Sequence, residues 1–259
     1  MLMTEILLYL CVQSISLWIF SVIYKDSSIY DRFWGLSHGV ILSIAVLDSN
    51  QPTLSNLIIW VFISFWGFRL SYSITERNWG KGEDIRYQTL REAHKCFSIK
   101  SLYLVFLFQS LLLFVLTLPW IHFIKSPLPF GVQQIIAISL MMCSLLLEHK
   151  SEQELKEFKR LRNSHVCNTG LWSLCRHPNY LGEICFWFSV CLYCVNGNTL
   201  WFMYSPFLIS FIIIFITGIK PLEEHMMLTK AGYRDYCEST PVLVPDYKRL
   251  FKIVFTTKL

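Results

Sequence analysis

Long apolar runs alternate with short polar blocks along this chain, and that pattern predicts transmembrane helices. Seven apolar runs can be distinguished, at 4–24, 33–47, 57–74, 101–124, 131–147, 180–195 and 199–219. A helix of about 20 apolar residues crosses a hydrocarbon core of about 30 Å. In lipid the backbone must satisfy its own hydrogen bonds, which favours helices. We therefore predict an all-α, polytopic transmembrane helical bundle of about seven spans, forming one integral membrane domain over residues 1–259.

The span count and the orientation depend on the polar residues between the runs. Asn196-Gly197-Asn198 indicates a turn between the last two runs, although it could instead be a kink in one long helix, which would leave six spans. With seven spans and the N-terminus outside, all of the 23 Lys and Arg residues except Lys125 and Arg69 fall on one side or in the tail on that side. The positive-inside rule makes that side cytoplasmic. The prediction is an outside N-terminus and a cytoplasmic C-terminus.

Composition excludes several protein classes. The chain is 54% hydrophobic and only 16% charged, whereas a soluble domain carries about 25% charged residues. The nine cysteines all lie in spans or on the reducing cytoplasmic side, so no disulfide framework is expected. Cys191-x-x-Cys194 lies inside a span without a second pair, and no metal site is predicted. Anionic lipid head groups explain the net charge of +5. We expect membrane lipids and an apolar substrate as partners, and no nucleic acid.

The chemistry is predicted at the cytoplasmic face, where three polar segments lie at about 75–100, 148–179 and 220–259. The first part of the second segment, 148–162, has an amphipathic pattern and is predicted to be a helix lying along the membrane interface. A site for a polar cofactor would be built from these segments, and an apolar substrate would enter from the lipid.

The strongest local pattern is the run Arg176-His177-Pro178-Asn179-Tyr180-Leu181-Gly182-Glu183. Proline is favoured in the first helical turn, so a span is predicted to begin at Pro178. Arg176 and His177 would then precede a helix N-terminus, which attracts phosphate. Asn179 and Glu183 share one helix face, and an acid inside a span is a candidate functional residue. Gly182, beside them, is predicted to permit close helix approach. Alternatively, Glu183 forms a structural ion pair with Arg176.

Two other places carry candidate residues. Glu223 and Glu224 end the last span, where they hold ribose hydroxyls or only solvate the helix end. Arg69 lies inside a span and needs an anionic partner. Asp31 enters the second span from the same side, where it pairs with Arg69 or polarises a substrate.

These motifs resemble a known membrane family. The run from Arg176 to Glu183 resembles the signature of the family of steroid 5-alpha-reductases and sterol C14 and C7 reductases, and within it the DUF1295 group. The likeness extends over residues 30–247, through Asp31-x-x-Trp34-Gly35, Trp66-x-x-Arg69-Leu70, Gly82-Glu83-Asp84-x-Arg86-Tyr87 and Gly232-Tyr233-x-x-Tyr236. The resemblance implies NADPH at the cytoplasmic face and hydride transfer to a carbon–carbon double bond in a lipid such as a sterol or enone.

The resemblance also implies roles for individual residues. Asn179 and Glu183 match the pair that holds the nicotinamide side in the reductases. The implied cofactor-binding set is Glu152, Lys156, Lys159, Trp172, Arg176, His177, Asn179, Tyr180, Glu183, Glu223, Glu224 and Tyr236. One position departs from the pattern, because Trp66 stands where steroid 5-alpha-reductases place a tyrosine that polarises the ketone. The predicted catalytic set is therefore Tyr72 as proton donor, Asp31 as the residue that polarises or orients it, and Arg69.

Two other functions remain open at this stage. The isoprenylcysteine carboxyl methyltransferases and phospholipid N-methyltransferases share Arg176-His177-Pro178-x-Tyr180-x-Gly182 and the Glu223-Glu224 pair, and would use S-adenosylmethionine. Asn179, Glu183 and the long N-terminal half favour the reductases. The third hypothesis is a lipid-binding membrane protein that keeps the fold without the chemistry, as Trp66 would allow.

Overall fold

The computed structural model describes residues 1–49, 51–161 and 165–246, and this part of the chain is helical without strands. The α-helices, in chain order, are α1 (Leu2–Tyr24), α2 (Ile29–Leu47), α3 (Leu54–Asn78), α4 (Ile85–Ala93), α5 (Phe97–Ser101), α6 (Phe108–Lys125), α7 (Val132–Leu161), α8 (Pro178–Cys194), α9 (Tyr204–Phe211), α10 (Ile219–Thr229) and α11 (Tyr233–Ser239). Two π-helical segments, Leu102–Leu107 and Ile212–Thr217, join α5 to α6 and α9 towards α10. The all-helical prediction is confirmed.

All seven apolar runs are helical, but in the described part of the chain five helices are long and apolar enough to cross a membrane. These are Leu2–Tyr24, Leu54–Asn78, Phe97–Lys125, Val132–Leu161 and Leu200–Thr229. The count of seven is therefore not confirmed. The other two runs correspond to α2 and α8, which have 19 and 17 residues. At 1.5 Å per residue, a helix as short as α8 is about 25 Å long, less than the hydrocarbon thickness.

The turn predicted near Asn196 is present. Helix α8 ends at Cys194, and a 3₁₀ turn begins the next helical stretch at Leu200. Between them, the Thr199 amide donates to the Asn196 carbonyl at 3.0 Å, and the Asn198 amide donates to Asn196 Oδ1 at 2.9 Å. The last two apolar runs are thus separate helices, and the kinked-helix alternative is wrong.

The prediction of a separate interfacial helix at 148–162 is also wrong. This segment, as far as Leu161, continues the fifth apolar run as one helix of 30 residues, α7. The sequence contains no glycine or proline between Val132 and Leu161, so nothing interrupts the helical hydrogen bonds where the polarity changes.

The described chain forms two compact units, called here the first unit (1–130 with 194–202) and the second unit (131–193 with 203–246). In the first unit, α2 and α3 pack with their backbones in contact at Gly35 and Gly67. A Cβ atom on either glycine would overlap the carbonyl oxygen of the other. Beside this contact, Trp66 is fully buried against His38, with ring centroids 5.5 Å apart. Small residues at a helix crossing are the usual route to such close packing in membranes.

In the second unit, α7 and α8 pack closely at Gly182. A Cβ atom there would lie 2.9 Å from the carbonyl oxygen of Ser144 and 3.0 Å from Glu148 Cβ. This confirms the prediction that Gly182 permits close helix approach. The π-helical segment Ile212–Thr217 ends at Gly218, where a Cβ atom would lie 3.2 Å from the Tyr180 ring. The beginning of α8 is therefore packed on two sides by α7 and by the segment leading into α10.

Candidate cofactor site

A 3₁₀ turn, Gly170–Ser173, leads towards α8 and is held by bonds from two other elements. Gly170 has φ of +57°, a backbone conformation that favours glycine. Trp172 Nε1 donates to the Ser151 carbonyl of α7 at 3.0 Å. Tyr236 of α11 donates its hydroxyl to the Trp172 carbonyl at 2.5 Å. Trp172 and Tyr236 are both buried, and the polar bonds that they make hold this turn in place.

Residues 240–246, called the strap below, run along residues 174–177 and are bonded to them through the backbone. The Arg176 amide donates to the Pro241 carbonyl at 2.9 Å, and the His177 amide donates to the Val242 carbonyl at 3.2 Å. Further along, the Asp246 amide donates to the Leu174 carbonyl at 3.0 Å. The strap therefore fixes the backbone that immediately precedes α8.

Arg176 links this backbone to α10 and α11 through four hydrogen bonds. Its Nε and Nη2 donate to the two carboxylate oxygens of Glu223 at 2.8 and 3.2 Å. Its Nη1 donates to the carbonyls of Cys237 and Thr240 at 2.9 and 2.7 Å. The side chain is 9% exposed. The acid partner of Arg176 is thus Glu223 and not Glu183, and these bonds leave the guanidinium little capacity for the phosphate contact predicted from the sequence.

His177 shares the same carboxylate. Its Nε2 lies 2.8 Å from Glu223 Oε1, and the side chain is 3% exposed. Burial lowers the pKa of His177 below its ordinary value of 6.5, although the neighbouring Glu223 carboxylate opposes this shift. The ring is therefore neutral at physiological pH, and Nε2 carries the proton that it donates to Glu223. Nδ1 is then a buried acceptor, and it has no hydrogen-bond partner among the described residues.

A second buried acceptor lies two residues further on. Asn179 Oδ1, in the first turn of α8, is buried and lacks a partner within the described ranges. Glu183, one turn later, is 7% exposed and accepts a bond from Trp187 Nε1 at 3.0 Å. A buried acceptor without a partner costs about 1–3 kcal/mol. The beginning of α8 is consequently suited to a ligand that donates hydrogen bonds, as the amide group of nicotinamide does.

The other predicted cofactor residues are more accessible. Tyr180 is partly buried, with its ring centroid 5.7 Å from that of His177. Lys156 and Lys159 are exposed on α7, where Glu152 is partly buried, and Glu224 is exposed on α10. All of them belong to the second unit.

Sequence analysis missed Glu148 as a site residue. This acid is 3% exposed on α7, beside Gly182. Its position directly after the apolar run 131–147 was the available signal, because an acid that remains buried at the end of a span is unusual. We therefore add Glu148 to the residues that surround the beginning of α8.

The predicted catalytic residues lie in the first unit, where Asp31 belongs to a buried polar network. Its Oδ1 accepts bonds from the Tyr87 hydroxyl at 2.7 Å and from Gln109 Nε2 at 3.4 Å. Its Oδ2 accepts a bond from Arg86 Nη2 at 2.9 Å. Gln109 Nε2 also donates to the Tyr87 hydroxyl at 2.9 Å. This set, called here the Asp31 network, joins α4 to α2 and α6.

The phenol that contacts Asp31 is therefore Tyr87, and the prediction that Asp31 orients Tyr72 is wrong. Tyr72 is 60% exposed on α3, whereas Tyr87 is 7% exposed. Arg69 is partly buried on the same helix as Tyr72. Tyr87 and Gln109 were not predicted as site residues. Tyr87 stands in the motif Gly82-Glu83-Asp84-x-Arg86-Tyr87, but no sequence pattern pointed to Gln109 inside an apolar run.

The helical membrane fold and the motif at the beginning of α8 define a class of multi-span membrane proteins, and comparisons with known proteins specify it. The family DUF1295, described as proteins of unknown function, matches residues 17–240, and the chain belongs to this family. An uncharacterized protein of Schizosaccharomyces pombe is 25% identical over 206 residues, which cover 68% of this chain. The matched region spans 60% of that relative's length. No solved structure matches the chain.

Proposed function

We propose that this protein is an NADPH-dependent reductase of a carbon–carbon double bond in an apolar lipid, such as a sterol or an enone. The observation that carries the proposal is the pair of buried, unpartnered acceptors at the beginning of α8, His177 Nδ1 and Asn179 Oδ1, within the described residues. The resemblance to steroid and sterol reductases implies that this place holds the nicotinamide side of NADPH. The two lines of argument, one from unsatisfied hydrogen bonding and one from motifs, lead to the same residues.

The residues of the second unit divide into those that bind and those that support. Asn179 and His177 would accept hydrogen bonds from the carboxamide, and the exposed Lys156 and Lys159 are the proposed cations for the adenosine phosphate. Arg176 supports the site by fixing the strap and Glu223. NADPH, when bound, supplies the hydride, and the protein supplies position, charge and exclusion of water.

Reduction of a double bond also needs a proton, and two phenols of the first unit are candidates. Trp66 cannot supply one, and it is fully buried in the core. Tyr72, the residue predicted from the sequence, is exposed, as access to a lipid substrate requires. Tyr87 is buried, and its hydroxyl donates a hydrogen bond to Asp31, which favours a structural role. Tyr72 therefore stays the proposed donor, and replacement by phenylalanine should abolish turnover without weakening NADPH binding.

Ligand-dependent thermal stabilisation of the detergent-solubilised protein tests the proposal. NADPH is expected to raise the melting temperature, and Asn179→Ala should remove most of this increase. Asn198→Ala is the matched control, because Asn198 is an exposed asparagine in the turn after α8. Stabilisation by S-adenosylhomocysteine instead of NADPH would show a methyltransferase. Stabilisation by neither cofactor would overturn the proposal and favour a non-catalytic lipid-binding protein.

A further inference from the structure

Glu223 occupies a different place from the one that the resemblance assigned to it. Both of its carboxylate oxygens are engaged by Arg176, and Oε1 also receives His177 Nε2 at 2.8 Å. These three bonds use most of the roughly four acceptor directions of a carboxylate, which leaves Glu223 little capacity to hold a ribose hydroxyl. Its neighbour Glu224 is exposed and keeps that capacity.

We infer that Glu223 is a positioning residue, which fixes His177 in the Nε2-protonated tautomer so that Nδ1 presents a lone pair to a hydrogen-bond donor of the bound cofactor. This inference rests on the proposed function for the identity of the ligand. The contact itself follows from geometry, because a carboxylate can only accept and the facing nitrogen must then be the donor. In the neutral ring, the second nitrogen is then the acceptor.

The surroundings make this arrangement rigid. Arg176 holds the carboxylate, and the carbonyls of Cys237 and Thr240 hold Arg176. The backbone of His177 is bonded to Val242 of the strap. The orientation of the His177 side chain is thus fixed by its backbone and by its ring nitrogen. A carboxylate or carbonyl orients a metal-binding histidine in the same way.

The tautomer can be measured without any enzymatic assay. In protein labelled with ¹⁵N-histidine, the His177 signals are those lost in His177→Gln. The wild-type protein should show one tautomer, with Nε2 protonated and Nδ1 bare. In Glu223→Ala the ring should exchange between tautomers, whereas Glu223→Gln should largely retain the wild-type pattern, because its amide oxygen can still accept from Nε2. Glu224→Ala, one residue along the same helix, should leave the pattern unchanged.

Binding of NADPH is measured on the same variants. Glu223→Ala should weaken it about tenfold, the size of one lost hydrogen bond in a charged network, and Glu223→Gln should restore most of the affinity. Glu223→Ala leaves Arg176 without its acid, so circular dichroism is used to check that this variant is folded. If it is not folded, the test is the NADPH affinity of Glu223→Gln, measured as a function of pH.

The possible failures are distinguishable. An unchanged His177 tautomer and unchanged NADPH affinity in folded Glu223→Ala would overturn the positioning role while leaving the reductase proposal intact. A tautomer that depends on Glu223 in a protein that binds no NADPH would overturn the proposed function and keep the positioning role for another donor ligand. A wild-type ring in the Nδ1-protonated tautomer would overturn the inference directly.

Discussion

The Asp31 network and the site at the beginning of α8 are both buried polar clusters, but one is closed and the other is open. In the Asp31 network, the carboxylate receives bonds from Arg86, Tyr87 and Gln109, and the last two also bond each other. At α8, Glu223 is equally well bonded, yet His177 Nδ1 and Asn179 Oδ1 are left without partners among the described residues. The first cluster satisfies its own hydrogen bonds, whereas the second leaves two acceptors unsatisfied within the described residues.

The difference shows how a buried polar cluster can be assigned to structure or to function. A closed cluster contributes stability, because every desolvated group recovers a bond. An open cluster lowers stability in the free protein, and natural proteins retain such groups mainly at functional sites. By this criterion the beginning of α8 is the candidate ligand site of the second unit, and the Asp31 network is part of the architecture of the first.

The largest expected effect comes from removing the cation that supports the open site. Arg176→Ala leaves two carbonyls without their donor and leaves Glu223 with His177 alone, and removal of one partner from a buried ion pair costs about 3–5 kcal/mol. Thermal or denaturant unfolding measures this loss. Arg160→Ala, at an exposed position on α7, is the control and should change little. A small effect at Arg176 would mean that the strap is held by its backbone bonds alone.

A smaller effect is expected in the closed network. Tyr87→Phe removes the hydroxyl that joins Asp31 and Gln109, and should lower the free energy of unfolding by about 1–2 kcal/mol. Tyr72→Phe, at an exposed phenol, should alter it by less than about 0.5 kcal/mol. If Tyr87→Phe were as stable as the wild type but inactive, Tyr87 would be the proton donor and the network would be functional.

Acidification should affect the two regions in different pH ranges. The pKa of His177 is lowered by burial from 6.5, so its contribution to stability is complete above pH 6.5 and is lost as the pH falls below that value. Beside the Asp31 network, bonds from Arg91 and Ser27 lower the pKa of Glu83 from 4.5 despite the opposing effect of burial, and this contribution is lost only below pH 4.5.

Each of these losses has a slope of at most about 1.4 kcal/mol per pH unit. Hydrogen exchange at pH 5.5 should therefore show weakened protection around α8 while α4 stays protected. If protection around α4 were lost first as the pH falls, the assignment of the higher pH range to α8 and the lower one to α4 would be wrong.

The smallest effect has the opposite sign. Asn179→Ala removes a buried acceptor that lacks a partner in the described chain, so the ligand-free protein should be unchanged or stabilised by up to about 1 kcal/mol. The measurement is the unfolding free energy without cofactor. A clear destabilisation would show that Asn179 has a structural partner and that the site is closed.

The sequence predicted the class of fold and the residue at which α8 begins, but few of the bonds around that point. Apolar runs identified the helices, because a helix that crosses the hydrocarbon core must carry apolar side chains along about 20 residues. The motif from Arg176 to Glu183 identified the beginning of α8, because proline is favoured in the first turn of a helix and Gly182 permits close helix packing. The partners of Arg176 and Asp31 were mispredicted, since Glu223, Tyr87 and Gln109 are 47, 56 and 78 residues away along the chain. Contacts at such separations are set by tertiary packing.

The uninterrupted helix α7 has a mechanical consequence. Its 30 residues extend about 45 Å, about 15 Å more than the hydrocarbon thickness. Lys156 and Lys159 lie in its last two turns, and the apolar residues that would lie in the hydrocarbon core are at its other end. A nucleotide bound there would come from the aqueous side, whereas an apolar substrate would come from the bilayer. The length of α7 would then set the distance between the nucleotide and the hydrocarbon core.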